Sequence, residues 1–229
     1  MRAILLAAGM GTRLRPLTND TPKSLVKVAG EPMAERQIRF LREKGISEII
    51  VVTGYLHEKF DYLKDKYGVK LIHNDKYDLY NNVYTMYLVR EYLQDSYVND
   101  ADVFMTTNFF RNDMETSTFF GGMKYDFKSE WILKHDENNK VHEVVVADGS
   151  DYINSGITYW TKQDGLILQE KLEEAITNGD FKDLYWDNIV QANLDKLNVK
   201  IQKIGTEDWF EIDSVVDLER ANEYLKIKN

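Results

Sequence analysis

Residues 3–16 read AILLAAGMGTRLRP, and Thr21-Pro22-Lys23 follows after a short gap. An apolar run of strand length passes directly into a loop that contains Gly9 and Gly11. Glycine reaches backbone angles closed to other residues and has no side chain, so the N–H groups of such a loop can face an anion at close range. Arg13 and Lys23 would add positive charge, one as a planar fork and the other as a point charge. The stretch predicts a buried strand ending at a phosphate-binding loop, although an ordinary strand and turn has the same local pattern.

The glycine spacing excludes two common nucleotide-binding motifs. No Gly-Lys-Ser/Thr follows at the spacing of a P-loop, and the third glycine of the dinucleotide fingerprint is missing. Together with Pro22-Lys23, the loop resembles the signature Gly-x-Gly-Thr/Ser-Arg-x-x-Pro, followed by Pro-Lys, of the sugar-nucleotidyltransferase superfamily. That resemblance implies a nucleoside triphosphate bound by the following residues of the opening: Leu6, Ala7, Ala8, Gly9, Met10, Gly11, Thr12, Arg13 and Lys23.

The composition limits the class of protein. With 229 residues, 43% of them hydrophobic, the chain can bury the core of one large α/β domain. A formal net charge of -9 without a long basic run argues against nucleic-acid binding. Cysteine is absent, which excludes disulfides, thiolate metal sites and a cysteine nucleophile. Because no apolar run has the length that spans a bilayer, we expect a cytoplasmic protein without membrane insertion.

Strand and helix patterns alternate in the first half of the chain. Buried strands are predicted at residues 3–8, 48–52 and 69–72, and the helices between them end at Gly45 and Gly68. Such alternation is typical of a parallel sheet with helices on both faces. We predict a single α/β domain over residues 1–229, Rossmann-like, with a mostly parallel mixed sheet and a smaller β-rich portion. Residues up to about 110 form the predicted nucleotide-binding half, and residues from about 111 the acceptor-binding half.

The second half has a different pattern. Residues 129–134 and 141–146 flank a polar turn and predict a hairpin, and residues 154–160 predict another strand. A helix is expected over about 162–176 and a late strand over 199–204. The last helix is predicted to begin with a capping box, in which the side chains of Ser214 and Asp217 bind each other's backbone N–H.

A polar and aromatic segment, Tyr80-Asn81-Asn82, precedes the helix that runs through Leu88. Asparagine amides offer donors and acceptors together, which reading the edge of a nucleobase requires. The alternative is that an asparagine caps the helix. Spacing alone leaves both interpretations open.

The fourth predicted strand, near residues 97–102, contains Asp100 and Asp102 where a buried parallel strand would carry valine or isoleucine. Polar residues that break a local pattern often mark a site. If the strand ends here, Asp102 lies at the same edge of the sheet as the glycine loop. A solvated turn is the alternative.

The superfamily resemblance implies the chemistry of the site. Members place one metal-binding aspartate after the fourth strand and a second near the end of the chain, and Asp102 and Asp213 match those positions. Magnesium suits such a pair because it prefers carboxylate and phosphate oxygens. The glycine that usually precedes the first aspartate is Ala101 here, and Asn154-Ser155-Gly156 resembles the family's Asn-x-Gly strand beside the acceptor. The implied reaction is in-line nucleotidyl transfer with Arg13, Lys23, Asp102 and Asp213 as the catalytic residues, mostly by positioning and charge neutralisation.

Aromatic residues next to acids suggest the acceptor. An aromatic cage with a carboxylate binds a quaternary ammonium, whereas core packing is the alternative role for the same residues. Nearly the whole chain resembles the bacterial CTP:phosphocholine cytidylyltransferases of the licC type, through Tyr80-Asn81-Asn82, Glu130-Trp131, the segment 183–187 and Glu211-Ile212-Asp213-Ser214. That resemblance implies CTP and phosphocholine as substrates. The acceptor site it implies consists of Tyr84, Glu130, Trp131, Asn154, Tyr185, Trp186 and Asp187.

Three other functions remain open at the level of sequence. A related cytidylyltransferase would act on phosphoethanolamine or 2-aminoethylphosphonate, and a sugar-1-phosphate nucleotidyltransferase would use a hexose phosphate. A nucleotide-binding module without catalysis would be expected to lack the phosphate lysine or the metal aspartates, all of which are present. Monomer and dimer are both compatible with the sequence.

Overall fold

The computed structural model describes residues 1–179 and 181–228. Its strands are β1 Arg2–Ala7, β2 Lys27–Val28, β3 Glu31–Pro32, β4 Ile49–Thr53, β5 Lys70–His73, β6 Ser96–Asp100, β7 Val103–Met105, β8 Ser117–His135, β9 Val141–Trp160, β10 Val199–Ile204 and β11 Trp209–Glu211. Its α-helices are α1 Met33–Glu43, α2 Tyr62–Tyr67, α3 Asn82–Leu88, α4 Lys162–Asn178, α5 Trp186–Gln191 and α6 Val215–Lys228.

Seven strands form one mixed sheet in the order β10-β8-β9-β6-β1-β4-β5. β1 pairs in parallel with β4 and β6, β4 with β5, and β8 with β10, whereas β9 runs antiparallel to both β6 and β8. The prediction of a mostly parallel, Rossmann-like α/β sheet is confirmed. Because β6 from the first half pairs with β9 from the second, the two halves share one sheet.

Helices cover both faces of the sheet, because the apolar residues of β1 point alternately to one face and to the other. Ala3 and Leu5 are buried against α1 and α2 on one face, while Ile4 is buried against α3, α4 and α5 on the other. Alternate residues of a strand point to opposite faces, so a continuous apolar run supplies both. The polar end of β6 then lies beside the end of β1, with Leu6 in register with Asp100.

The helix ends agree with the sequence prediction. Gly45 and Gly68 follow α1 and α2 with φ of 78° and 63°, the left-handed conformation that glycine adopts at a helix C-terminus. Ser214 and Asp217 form the predicted capping box at the start of α6: the Asp217 carboxylate accepts from the Ser214 N–H at 2.8 Å, and the Ser214 hydroxyl accepts from the Asp217 N–H at 3.3 Å.

The predicted hairpin of the second half was too short. Its strands extend to Ser117–His135 and Val141–Trp160, and the strand predicted at 154–160 is the end of β9. Gly121 and Gly122 break the apolar pattern in β8 because Ile201 and Trp209 occupy the space of a side chain there. Within the described part of the chain, no helix combines the length and apolar composition that crossing a bilayer requires.

Candidate active site

The glycine loop leaves β1 at its carboxyl end, where Gly11 makes the turn. Its φ of 60° is left-handed, and a Cβ built on it would lie 2.8 Å from Cβ of Lys23. The Thr18 hydroxyl donates to the Gly11 carbonyl at 2.8 Å and holds this conformation. A side chain at Gly9 would meet only open space, so the backbone there stays accessible.

A lysine and two aspartates from distant parts of the chain meet beside this loop. Lys23 Nζ donates to both Asp102 Oδ2 and Asp213 Oδ1, and Arg13 Nη2 lies 2.9 Å from Asp213 Oδ2. The Lys23 side chain is only 13% exposed. Burial opposes its charge, but the charges of the two aspartates and their hydrogen bonds outweigh burial and raise the pKa of Lys23 above its ordinary value.

The two-stranded sheet of β7 and β11 brings the aspartates together. Asp102 lies in the turn between β6 and β7, and Asp213 follows β11. The antiparallel register pairs Val103 with Glu211, and the Ile212 N–H donates to the Asp102 carbonyl at 3.2 Å. Residues separated by more than a hundred positions thus contribute to one site, as the superfamily resemblance implied.

Two neighbouring clefts open at this edge of the sheet. The glycine-loop cleft has a volume of about 210 Å³ and is lined by Leu6, Ala8, Gly9, Tyr77, Tyr80, Asn81, Asn82, Thr85, Asp100 and Asp102. The aromatic cleft has a volume of about 260 Å³ and is lined by Arg13, Lys23, Asn82, Asp100, Asp102, Val103, Glu130, Trp131, Asn154, Ser155, Gly156, Tyr185, Asp187, Glu211 and Asp213. Asn82, Asp100 and Asp102 border both clefts, so molecules bound in the two would meet at Asp102.

Two aromatic rings and several acids form the aromatic cleft. The rings of Trp131 and Tyr185 are 6.3 Å apart and nearly perpendicular, at 73°. Asn154 Nδ2 donates to Asp187 Oδ1 at 3.1 Å, while its Oδ1 accepts from the Gly156 N–H at 3.1 Å. Aromatic faces beside carboxylates provide an environment that attracts an organic cation.

Crowding of buried acids changes their protonation. Burial, together with the charges of Asp102, Asp187 and Glu211, raises the pKa of Asp100 well above its ordinary value. Burial raises the pKa of Asp187 to about 6, against the opposing hydrogen bond from Asn154. Burial, with the charges of Asp102 and Asp213, raises the pKa of Glu211 to about 8. A bound cation would relieve this repulsion, so the cleft favours a positively charged ligand.

The structure shows one of the two roles that the sequence left open for the asparagine pair, the helix cap. Asn81 caps α3, since its Oδ1 accepts from the Asn82 N–H at 2.8 Å. Both asparagines and Tyr80 also line the glycine-loop cleft. Four residues of the predicted nucleotide site are not among those that line either cleft: Ala7, Met10, Gly11 and Thr12.

Two predicted acceptor residues lie outside both clefts. Trp186 is 3% exposed and packs edge to face on Trp160 at 5.7 Å, so its indole belongs to the core. The ring of Tyr84 stacks on Phe181 at 6.4 Å and lies 5.2 Å from the ring of Tyr80. Core packing, the alternative stated for the aromatic residues, describes the position of Trp186, and an acceptor role for Tyr84 stays a prediction.

Asp100 and Glu211 line the aromatic cleft but were not among the predicted site residues. Both carried a signal: Asp100 is an acid at the end of a buried strand, and Glu211 is two residues before Asp213, so on a strand it points to the same side. Among the described residues, no group of three or more acidic, histidine or cysteine side chains is arranged to hold a metal ion. Asp102 and Asp213 contact one shared cation, the Lys23 ammonium, and a metal would need further oxygen ligands from a substrate.

The family model described as nucleotidyl transferase matches residues 2–227. The chain belongs to the nucleotidyl transferase family and is a nucleotidyltransferase enzyme. Enzymes of this family generally use a divalent metal ion.

Individual relatives show which members of the family the chain is similar to. The chain is 47% identical over 229 residues to a choline-phosphate cytidylyltransferase of Streptococcus pneumoniae, covering 100% of both chains. A choline-phosphate cytidylyltransferase of Haemophilus influenzae is 38% identical over 95% of this chain and 94% of its own. A 2-aminoethylphosphonate cytidylyltransferase of Lancefieldella rimae is 31% identical over 94% of this chain and 89% of its own. The solved structure of the S. pneumoniae CTP:phosphocholine cytidylyltransferase is similar with a TM-score of 0.96, at 47% identity and 98% coverage of both chains.

Proposed function

We propose that this enzyme transfers CMP from CTP to phosphocholine and releases pyrophosphate, giving CDP-choline. The observation that carries the proposal is the aromatic cleft, in which Trp131 and Tyr185 stand beside a group of carboxylates and which joins the glycine-loop cleft at Asp102. The similarity over the full chain to a choline-phosphate cytidylyltransferase supports it.

In the proposed reaction, CTP occupies the glycine-loop cleft. Backbone N–H groups of the loop and the side chains of Arg13 and Lys23 bind the triphosphate. A phosphate oxygen of phosphocholine attacks the α-phosphorus, and the bond from that phosphorus to the bridging oxygen of pyrophosphate breaks. The acceptor phosphate is already ionised at neutral pH, so no general base is required. Catalysis consists of alignment and neutralisation of charge on the transferred group.

The residues fit a magnesium ion as the divalent metal. The carboxylates of Asp102 and Asp213 already share one cation, the Lys23 ammonium, and one or two carboxylates with substrate phosphates are the usual ligands of Mg²⁺. A bound Mg²⁺ supplies positive charge to the triphosphate. Asp102 and Asp213 would hold the metal, and Lys23 would supply an ammonium group to a phosphate oxygen.

The cytosine would be read by the asparagine pair. Asn82 Oδ1 is engaged by the Trp186 N–H at 2.8 Å, so its amide offers N–H donors to the glycine-loop cleft. Cytosine presents acceptors on its Watson–Crick edge that match such donors. Tyr80 lines the same cleft and provides a surface on which a base can pack.

The trimethylammonium group would lie against Trp131 and Tyr185. Each cation–π contact contributes on the order of 0.5–2 kcal/mol, depending on how far the contact is desolvated. The acids Glu130, Asp187 and Glu211 line the same cleft, and a bound cation favours their ionised forms. We propose a cytoplasmic location, because CTP is a cytoplasmic metabolite, and no nucleic-acid substrate for a chain of net charge -9.

A second candidate acceptor is 2-aminoethylphosphonate or phosphoethanolamine. The similarity to the L. rimae relative favours it, and so do the carboxylates, because a primary ammonium donates hydrogen bonds that trimethylammonium lacks.

The deciding experiment measures pyrophosphate release with Mg²⁺ and CTP, with phosphocholine, phosphoethanolamine, 2-aminoethylphosphonate and glucose 1-phosphate as acceptors. Phosphocholine should give the highest kcat/KM. Trp131→Ala should raise the KM for phosphocholine about tenfold, whereas Trp131→Phe, which keeps an aromatic face, should raise it less. Highest activity with another acceptor, or an unchanged KM in Trp131→Ala, would refute the choline site.

A further inference from the structure

Each cleft is bordered by a loop, and the two loops touch. The asparagine loop, residues 77–82, lines the glycine-loop cleft. The aromatic loop, residues 181–187, carries Tyr185 and Asp187 into the aromatic cleft. About a hundred residues of chain separate the two loops. Their contact is therefore a direct connection between the two substrate sites that the sequence does not reveal.

Three hydrogen bonds join the loops, one of them from Asn81 Nδ2 to the Asp183 carbonyl at 3.5 Å. The Asn81 N–H donates to the Lys182 carbonyl at 3.0 Å, and the Trp186 N–H donates to Asn82 Oδ1 at 2.8 Å. Asn82 borders both clefts. A displacement of the asparagine loop thus changes the partners of the aromatic loop on either side of Tyr185.

Phe181 connects the loops through its side chain. Its ring centroid lies 4.9 Å from that of Tyr80, on the asparagine loop, and 6.4 Å from that of Tyr84, on α3, with which it is stacked at 17°. Trp186, near the end of the aromatic loop, is buried in the core, whereas Lys182 and Asp183 are exposed and Tyr185 is 49% exposed. Segments with few buried contacts open at low free-energy cost, so the contacts of Phe181 hold the exposed part of the loop that lies before the buried Trp186.

We propose that Phe181 is a positioning residue that couples the two clefts: nucleotide bound against Tyr80 fixes the aromatic loop, and this places Tyr185 against the acceptor. The acceptor part of the proposal rests on the proposed function, but the coupling itself requires only a nucleotide. Since coupling between two binding sites is reciprocal, acceptor binding must strengthen nucleotide binding by the same factor. Typical couplings change affinity about 5- to 150-fold, and for one aromatic contact we expect the lower end of that range.

Hydrogen exchange measures the coupling without an acceptor. CTP, UTP, ATP and GTP are first compared in the presence of Mg²⁺, and the nucleotide that slows exchange in residues 6–13 is used. In the wild-type enzyme, that nucleotide should also slow exchange about fivefold in residues 182–187. In Phe181→Ala, the glycine loop should remain protected and the protection of residues 182–187 should be lost, while Phe181→Tyr, which keeps the ring, should retain it.

Tyr87→Ala is the matched control. Tyr87 is half-buried like Phe181, and its ring lies 6.1 Å from Tyr84, but both residues belong to α3 and the pair does not cross between the loops. Tyr87→Ala should leave the nucleotide-dependent protection of residues 182–187 intact. Equal protection in Phe181→Ala and the wild type, or equal loss in both alanine variants, would overturn the proposal.

Steady-state kinetics supplies the second readout. Phe181→Ala should raise the KM for phosphocholine about fivefold with less than a twofold change in kcat, because bound nucleotide then no longer helps to position Tyr185 and the acceptor must do so. A fall in kcat with an unchanged KM would contradict a positioning role. If the wild-type enzyme does not use phosphocholine, the proposed function fails, whereas the exchange experiment still decides whether Phe181 couples the loops.

Discussion

Replacement of Lys23 by methionine tests two roles of its ammonium group: neutralising charge in the transition state and stabilising the fold between two aspartates. Methionine keeps the length of the side chain and removes the charge that bridges Asp102 and Asp213. Loss of one preorganised group that stabilises transition-state charge typically lowers kcat by 10²- to 10³-fold, or about 2.7–4 kcal/mol, and we expect a loss of this size for Lys23→Met.

The expected cost in stability follows from burial. Removing one partner of a fully buried ion pair costs about 3–5 kcal/mol. The aspartates are 27% and 24% exposed, so water can solvate them in part once the ammonium is gone. We therefore expect the free energy of unfolding to fall by about 1–2 kcal/mol, which for a chain of this length lowers Tm by about 2–8 °C.

Magnesium should partly reverse this loss. Without the ammonium, Asp102 loses its ion pair and Asp213 keeps only Arg13. A ligand that binds only the folded state stabilises it by RT ln(1 + [L]/Kd). Tm is measured by thermal unfolding with and without about 10 mM MgCl₂, a concentration well above that of the protein. The added Mg²⁺ should raise Tm more in Lys23→Met than in the wild type. Lys27→Met is the matched control, because Lys27 is exposed on the neighbouring strand β2 and lines neither cleft. A kcat within threefold of the wild type, or an equal Mg²⁺ effect on Tm in both proteins, would refute the reasoning.

Two further predictions test the loop and the core. Gly11→Ala should lower the free energy of unfolding by about 1–2 kcal/mol in chemical denaturation, because the φ of Gly11 is 60° and a Cβ there would press on Lys23. A Cβ at Gly9 would meet open space, so Gly9→Ala should change the free energy of unfolding by no more than about 0.5 kcal/mol. Equal stability of the two variants would contradict the assigned conformations. For Glu35, burial would raise the pKa, but hydrogen bonds from Lys66, Tyr67 and Tyr62 outweigh it and hold the pKa below its ordinary value. Its ionised form therefore stabilises the protein above the unfolded pKa of about 4.3 and loses this contribution as the pH falls through the folded pKa. Glu35→Gln should cost about 1–2 kcal/mol at pH 7 and progressively less below about pH 4, and a cost independent of pH would be inconsistent with a charged Glu35.

The elements with strong local signals could be predicted from the sequence. The apolar run before Gly9 and the glycines after α1 and α2 act within a few residues, so their structures follow from local chemistry. Asp102 and Asp213 could be placed in one site only through the superfamily resemblance, because the β7 and β11 ladder that joins them pairs residues about a hundred positions apart. No local pattern carries that information.

The aromatic residues mark where sequence reasoning was insufficient. Tyr185 and Trp186 are neighbours with similar character, yet the first faces the aromatic cleft and the second lies in the core. Which one is buried depends on how α5 docks on the sheet, and the docking is set by Trp160 and other residues distant in sequence. The length of β8 could not be predicted for a related reason. Its glycines interrupt the apolar pattern because side chains distant in sequence pack against them.

Because β7 pairs with β11, the site forms only when the two halves of the chain come together. The turn at residues 136–139 is exposed, and a cut there would leave Asp102 on one fragment and Asp213 on the other. Neither fragment would contain both aspartates, and each would lack part of the shared sheet. Fusing the fragments to two interacting proteins would make nucleotidyl transfer depend on their meeting, so one antiparallel ladder of three residue pairs offers the basis for a split-enzyme assay.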